Sequence, residues 1–162
     1  MRAAISDTGP LNYFILIEAT WILPRLFTSI LITTAVKEEL SHRKAPEVVQ
    51  AWVAQPPSWL SVAWPKPTVI PGISYLHAGE REVITLALER PESLILMDDR
   101  RGSVEAKRRG LEVIGTLAVL DTAAGRGWID LAEMFARLRV SSFRSPLGLM
   151  ARMLEQDARR EK

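Results

Sequence analysis

Six carboxylates sit at positions from which an active site can be built. Asp7 directly follows the short apolar run 3–6, and the pair Asp98-Asp99 directly follows the apolar run 93–97. Glu38 and Glu39 fall in the first helix after the run 29–33, and Glu80 falls in the first turn of a helix predicted from Ala78. Carboxylates gathered in one pocket repel each other, so a cation must compensate them or their pKa values rise. The chain has no cysteine and only two histidines, His42 and His77. Disulfides, thiolate zinc sites, a cysteine nucleophile and a histidine-rich metal site are therefore excluded. An all-oxygen donor set suits a hard ion, Mg²⁺ or Mn²⁺, with Ca²⁺ less useful for catalysis. Such ions activate water and neutralise phosphoryl charge.

Each of these residues also has a plainer use. An Asp after a strand is often a turn residue or a helix cap, and Glu80 at a helix start stabilises the helix dipole. One of Glu38 and Glu39 reads as an ordinary surface residue. Two adjacent acids after a buried strand are harder to explain structurally. Asp98 continues directly from the strand and is preferred as a ligand. Asp99 stands as a second ligand or as the cap of the next helix.

The elements that must position these acids alternate. Strands are expected at 3–6, 29–33, 93–97 and 111–114, with a minor one at 60–63. Helices are expected at 10–19, 35–41, 46–54, 78–89, 102–109, 117–124, 130–138 and 145–160. The helix at 78–89 is the clearest, with Val83, Ile84, Ala87 and Leu88 at helical spacing. Short apolar strands separated by helices imply a parallel sheet covered on both faces, with right-handed crossovers. Ligands of such sheets sit beyond the carboxyl ends of the strands, which is where Asp7, Asp98 and Asp99 lie. The 162 residues, 48% apolar and 25% charged, fit one globular domain. No run is long enough to cross a bilayer. The first residues do not read as a signal peptide, because their apolar stretch is short and Asp7 cuts it, so a cytoplasmic location is expected.

Charge is unevenly spread. Residues 1–99 carry 8 basic and 11 acidic groups, whereas residues 100–162 carry 13 basic and 8 acidic; 16 of the 21 cations are arginine. Arginine suits bidentate phosphate contacts. An acidic metal site beside a basic C-terminal part fits a phosphodiesterase acting on nucleic acid. The five tryptophans read mainly as packing residues, with Trp64, in the proline-rich stretch 64–77, the best candidate for exposure.

Four acidic motifs occur in an order that resembles the PIN-domain ribonucleases, specifically the VapC-like toxins of toxin–antitoxin pairs. They are Asp7-Thr8-Gly9-Pro10-Leu11, Val36-Lys37-Glu38-Glu39-Leu40, Gly79-Glu80-Arg81-Glu82 and Leu96-Met97-Asp98-Asp99-Arg100-Arg101-Gly102. The stretch from Gly110 to Leu117 and the tail Ser142-Phe143-Arg144-Ser145 match as well. The resemblance runs almost end to end. It implies a three-layer α/β/α PIN-like fold with a short central parallel sheet flanked by helices. It implies a single domain over 1–162, with about 140–162 as a C-terminal basic helical extension. It carries the family's metal-binding quartet onto Asp7, Glu39, Glu80 and Asp98, and its Val-x-x-Glu-Leu spacing selects Glu39 over Glu38. Asp99 is retained as an additional ligand candidate, and Thr8 as a hydroxyl supporting the site.

The resemblance implies hydrolysis of RNA phosphodiester bonds with Mg²⁺ or Mn²⁺, a cognate antitoxin protein and a homodimer. Arg100, Arg101, Arg108 and Arg109 are the candidates for RNA contact. One departure is visible: the arginine that often follows the glycine of Asp-x-x-x-Gly-Arg is Ser103 here. A PIN fold that binds RNA or protein without cleaving is the alternative from another class. A haloacid-dehalogenase-like phosphatase needs a second Asp where Gly9 stands, and a receiver-type domain places its acidic pair near the N-terminus.

Overall fold

The fold, seen in a computed structural model that describes residues 1–160, follows from where the apolar runs fall. Five strands, β1 (Arg2–Ser6), β2 (Phe27–Thr33), β3 (Leu60–Ala63), β4 (Leu94–Leu96) and β5 (Val113–Ile114), form one sheet in the order β3-β2-β1-β4-β5. All pairings are parallel. Ala4, Ile5, Ile30, Ile32 and Ile95 are fully buried. Continuous apolar runs are what a parallel sheet covered on both faces requires.

Around the sheet lie α1 (Thr8–Leu16), α2 (Leu23–Leu26), α3 (Thr34–Ser41), α4 (Glu47–Ala54), α5 (Ala78–Glu89), α6 (Arg100–Arg108), α7 (Thr116–Gly125), α8 (Leu131–Arg139) and α9 (Leu147–Ala158). Helices α1, α3 and α4 pack together, as do α7, α8 and α9, while α5 lies on β1, β2 and β4 and touches α3 and α6. This is the expected three-layer arrangement. The minor strand at 60–63 is a full member of the sheet, paired with β2 over its whole length.

Several boundaries differ from the sequence reading. The helix expected at 102–109 begins at Arg100, because the Asp99 side chain accepts the Gly102 N–H and starts the helix two residues earlier. Gly110 follows it at φ +79°, the left-handed turn that ends helices. The helix expected at 10–19 runs instead from Thr8 to Leu16, and a 3-10 turn at Thr20–Ile22 with the short α2 follows. These short pieces are held by packing rather than propensity: Ile22 and Leu23 are fully buried, and Arg25 lies 3.8 Å above the Trp128 ring. In the C-terminal extension, whose last two residues lie outside the described ones, Arg160 on the final turn pairs with Asp121 of α7 at 2.6 Å. Of the tryptophans, Trp64 is the most exposed, at 71%.

The chain leaves β1 towards β2 and β3 on one side, then crosses back to β4 and β5 on the other. The carboxyl end of β1 is thus the switch point of the sheet, where a crevice opens.

Candidate metal centre

Asp7 continues the sheet one residue past β1: its backbone N–H donates to Leu96 O at 2.8 Å. The register pairs Ser6 with Leu96, so Asp7 and Asp98 emerge side by side from neighbouring strands. Glu39 comes from the last turns of α3, whose start is fixed by Thr33 accepting the Val36 N–H. Glu80 comes from the first turn of α5. Asp7, Glu39, Glu80, Asp98 and Asp99 all line one cleft of about 510 Å³, together with Thr8, Gly9 and His77. His77 occupies the N-cap position of α5 and forms part of the wall.

The approach of α5 depends on Gly79. A Cβ there would stand 2.6 Å from Glu39 Oε1 and 3.5 Å from Asp7 Oδ1. No side chain fits while the Glu39 carboxylate keeps its place, whereas the distance to Asp7 is an ordinary contact.

The electrostatics are those of an uncompensated acid cluster. Asp7 is only 7% exposed, and its pKa is pushed up from 3.8 to about 7. Burial is the main cause; a backbone hydrogen bond at Thr8 opposes it, and the charges of Glu80, Glu39 and Asp99 add to it. Asp98 lies at the solvent-reached mouth, yet the protein crowded beneath it also raises its pKa by desolvation. Opposing that rise, Asp98 accepts two hydrogen bonds from Thr116, from the backbone N–H at 2.8 Å and from the hydroxyl at 2.6 Å. These bonds use both oxygens and fix the plane of the carboxylate.

Whether the residues present suit a divalent ion is answered by their donors. The set is entirely oxygen. Glu80 Oε2 and Thr8 Oγ1 are buried without a hydrogen-bond partner, an arrangement that costs free energy unless something is to be bound. Among the described residues, no three of these groups are drawn into a closed coordination cluster. The donor chemistry nonetheless fits a hard divalent ion.

The remaining site candidates go elsewhere. Asp99 is a helix cap through one oxygen and also borders the cleft. Glu38, next to Glu39, lines an adjoining groove that shares Thr8, Glu39 and Ala78 with the cleft, but not the cleft itself. Arg108 and Arg109 both turn to Glu105, a carboxylate only 2% exposed. Burial alone would raise the Glu105 pKa; the Arg109 hydrogen bonds, the Arg108 charge and the Tyr75 hydroxyl outweigh it and hold it below the usual range. This network ties the 71–77 segment to α6, since Arg109 also donates to Pro71 O. Arg101 stacks 5.0 Å from the Tyr75 ring, and His42 is exposed beyond the end of α3.

Two contributors escaped the sequence reading. Thr116 anchors Asp98, and its signal was available: it follows β5, the strand beside β4, at the carboxyl end of the sheet. Gly79 stands in the motif Gly79-Glu80-Arg81-Glu82, but only the fold shows that its missing Cβ makes room for Glu39.

A family model described as DUF3368, PIN domain, matches residues 3–159. The fold is similar to that of a PilT N-terminus domain protein from the hyperthermophilic archaeon Sulfolobus solfataricus P2. The TM-score is 0.53 at 19% identity, over 76% of this chain and 93% of that one. At that identity the likeness is one of fold. No curated protein matches the sequence.

Proposed function

The chain belongs to the PIN-domain family, commonly a nuclease fold, and from that premise we propose that it is a metal-dependent endoribonuclease and the toxin of a toxin–antitoxin pair. One observation carries the catalytic part of this reading: four acids from four separate elements, Asp7, Glu39, Glu80 and Asp98, line a single cleft at the switch point of the sheet. Glu80 Oε2, buried in the same cleft without a hydrogen-bond partner, supports the reading, because a cation would satisfy it.

In this reading Asp7, Glu39, Glu80 and Asp98 hold Mg²⁺ or Mn²⁺, with Asp99 and Thr8 at the border of the site. When bound, the ion supplies neutralisation of phosphoryl charge and activation of water for in-line attack. Thr116 keeps the Asp98 carboxylate in one orientation, so no reorganisation is needed during the reaction. Asp7, buried in the cleft, would hold the ion as its carboxylate. The toxin role rests on the resemblance of the motifs, which also suggests a homodimer held inactive by an antitoxin. Among the described residues no helix is long and apolar enough to cross a membrane.

The deciding experiment incubates labelled single-stranded RNA with the purified protein and Mn²⁺ or Mg²⁺. Cleavage by the wild type, lost in Asp7→Asn and in Asp98→Asn, is the expected outcome. No cleavage with any divalent ion, or normal cleavage by both variants, removes the enzyme reading and leaves a silent binding module. For the toxin role, expression should arrest growth, and co-expression of a small neighbouring reading frame should relieve the arrest.

A further inference from the structure

A second depression, about 850 Å³ in volume, opens beside the acidic cleft and shares Asp98 and Asp99 with it as a common rim. Its character is different. It is lined by Tyr13 of α1, by Phe143 and Arg144 of the segment before α9, and by Arg100 and Arg101 at the start of α6. Tyr13 and Phe143 stand edge to face, ring centroids 5.0 Å apart at 83°. The Tyr13 hydroxyl lies 3.1 Å from Ser142 Oγ in an exposed contact. Both rings are half-buried, packed against the core and also lining the groove.

The cations are the telling part. Arg101 is engaged with Tyr75 through its ring and its carbonyl oxygen. Arg100 and Arg144 are exposed, and among the described residues neither forms an ion pair or a hydrogen bond. Two uncommitted guanidinium groups thus flank an aromatic pair at the edge of an acidic site.

We propose that this groove is the seat of the single-stranded RNA adjacent to the scissile phosphate, with a base on the Tyr13–Phe143 pair and backbone phosphates on Arg100 and Arg144. The proposal extends the nuclease reading by naming how the substrate is held. The acid cleft alone repels a polyanion, so the strand must be gripped next to it by groups of opposite sign. Aromatic rings lining the groove favour a single strand, because a duplex keeps its bases stacked inside.

Binding is measured apart from cleavage. A fluorescein-labelled single-stranded RNA is titrated in EDTA and followed by anisotropy at several salt concentrations. The double variant Arg100→Glu, Arg144→Glu should bind at least roughly tenfold more weakly, with a salt slope flatter by about 1.4, at about 0.7 per lost phosphate contact. Glutamate at the first position of α6 suits the helix dipole, and Arg144 is exposed, so this variant keeps the fold. Tyr13→Leu should lose roughly tenfold through lost stacking, while Tyr13→Phe, which keeps the ring, should stay within about twofold of wild type. If Tyr13→Leu fails to fold, the arginine pair decides.

The proposal is overturned if the wild type does not bind the strand, or if the arginine variant binds as well as wild type. It also falls if duplex RNA or poly-glutamate binds this groove more tightly than the single strand. Wild-type cleavage combined with arginine-independent binding removes the groove and keeps the nuclease. Arginine-dependent binding without cleavage under any divalent ion removes the nuclease and keeps the groove.

Discussion

The Glu82 carboxylate accepts the backbone N–H of Ala35 at 2.9 Å, across 47 positions of chain. Ala35 lies in the first turn of α3, where N–H groups lack helical partners, and Glu82 lies on α5. The bond therefore joins the two helices that carry Glu39 and Glu80. Glu82→Ala should cost about 1–2 kcal/mol of stability, since it leaves a half-buried donor unmet. Glu82→Gln keeps an acceptor and should recover most of that loss. Urea unfolding of the two variants against wild type is the check, and equal midpoints for Ala and Gln would refute the role.

Thr116 makes a sharper claim about catalysis. Thr116→Val removes the hydroxyl donor to Asp98 and leaves the backbone donor in place. Outer contacts that orient metal ligands are typically worth about 10–100-fold. We expect Thr116→Val to lose RNA cleavage by about that factor and to need more Mn²⁺ for half-maximal rate. Thr116→Ser should restore both, a rescue that a purely packing role would not produce.

Gly79→Ala separates fold from function. Alanine removes the entropic handicap of glycine in a helix, about 0.5–1 kcal/mol. Its Cβ would meet the far end of the Glu39 side chain, which can swing away at little cost in stability. The variant should melt within a few degrees of wild type while cleaving RNA at least roughly tenfold more slowly. A strongly destabilised or fully active protein would contradict the close approach seen at this helix start.

The raised pKa of Asp7 gives a pH dependence with a definite sign. The folded protein holds the Asp7 proton up to about pH 7, whereas the unfolded chain releases it near 3.8. Between those values the folded state binds more protons, so metal-free protein loses stability as pH rises through this window and the loss is complete above it. The upper bound is about 4 kcal/mol. Asp7→Asn should flatten this slope and raise the melting temperature in EDTA at pH 8. Mn²⁺ should raise the melting temperature of wild type at pH 8 and do so far less in Asp7→Asn. A variant with the wild-type pH slope would show that the burial of Asp7 is not its source.

The sheet was legible because its central strands carry short apolar runs, and two of them, β1 and β4, lead into acids. Ile5, Ile30 and Ile95 need no knowledge of their neighbours to be read as buried, and α5 begins and ends at the residues its periodicity indicates. The gathering of Asp7, Glu39, Glu80 and Asp98 into one cleft was legible from motif order and the strand-end rule. What escaped was tertiary. Nothing within residues 20–26 signals a turn and a short helix, because their order comes from contacts such as Arg25 on Trp128. Glu105 with Arg108 and Arg109 at helical spacing announces an ion pair, but only the fold shows that the glutamate faces inward and draws both arginines with it. The hold of Thr116 on Asp98 spans 18 positions and exists only once β5 lies beside β4.

The same geometry bears on when activity arises during synthesis. The four acids are spread from residue 7 to residue 98, and the anchor of the last is residue 116. A growing chain that has emerged only through β3 owns Asp7 and Glu39 but neither Glu80 nor Asp98. β1 then lacks its second neighbour, because β4 has not been made. If the proposed nuclease reading holds, the cleft is complete only once about three quarters of the chain is out, and any N-terminal fragment ending before Asp98 lacks at least one of the four acids.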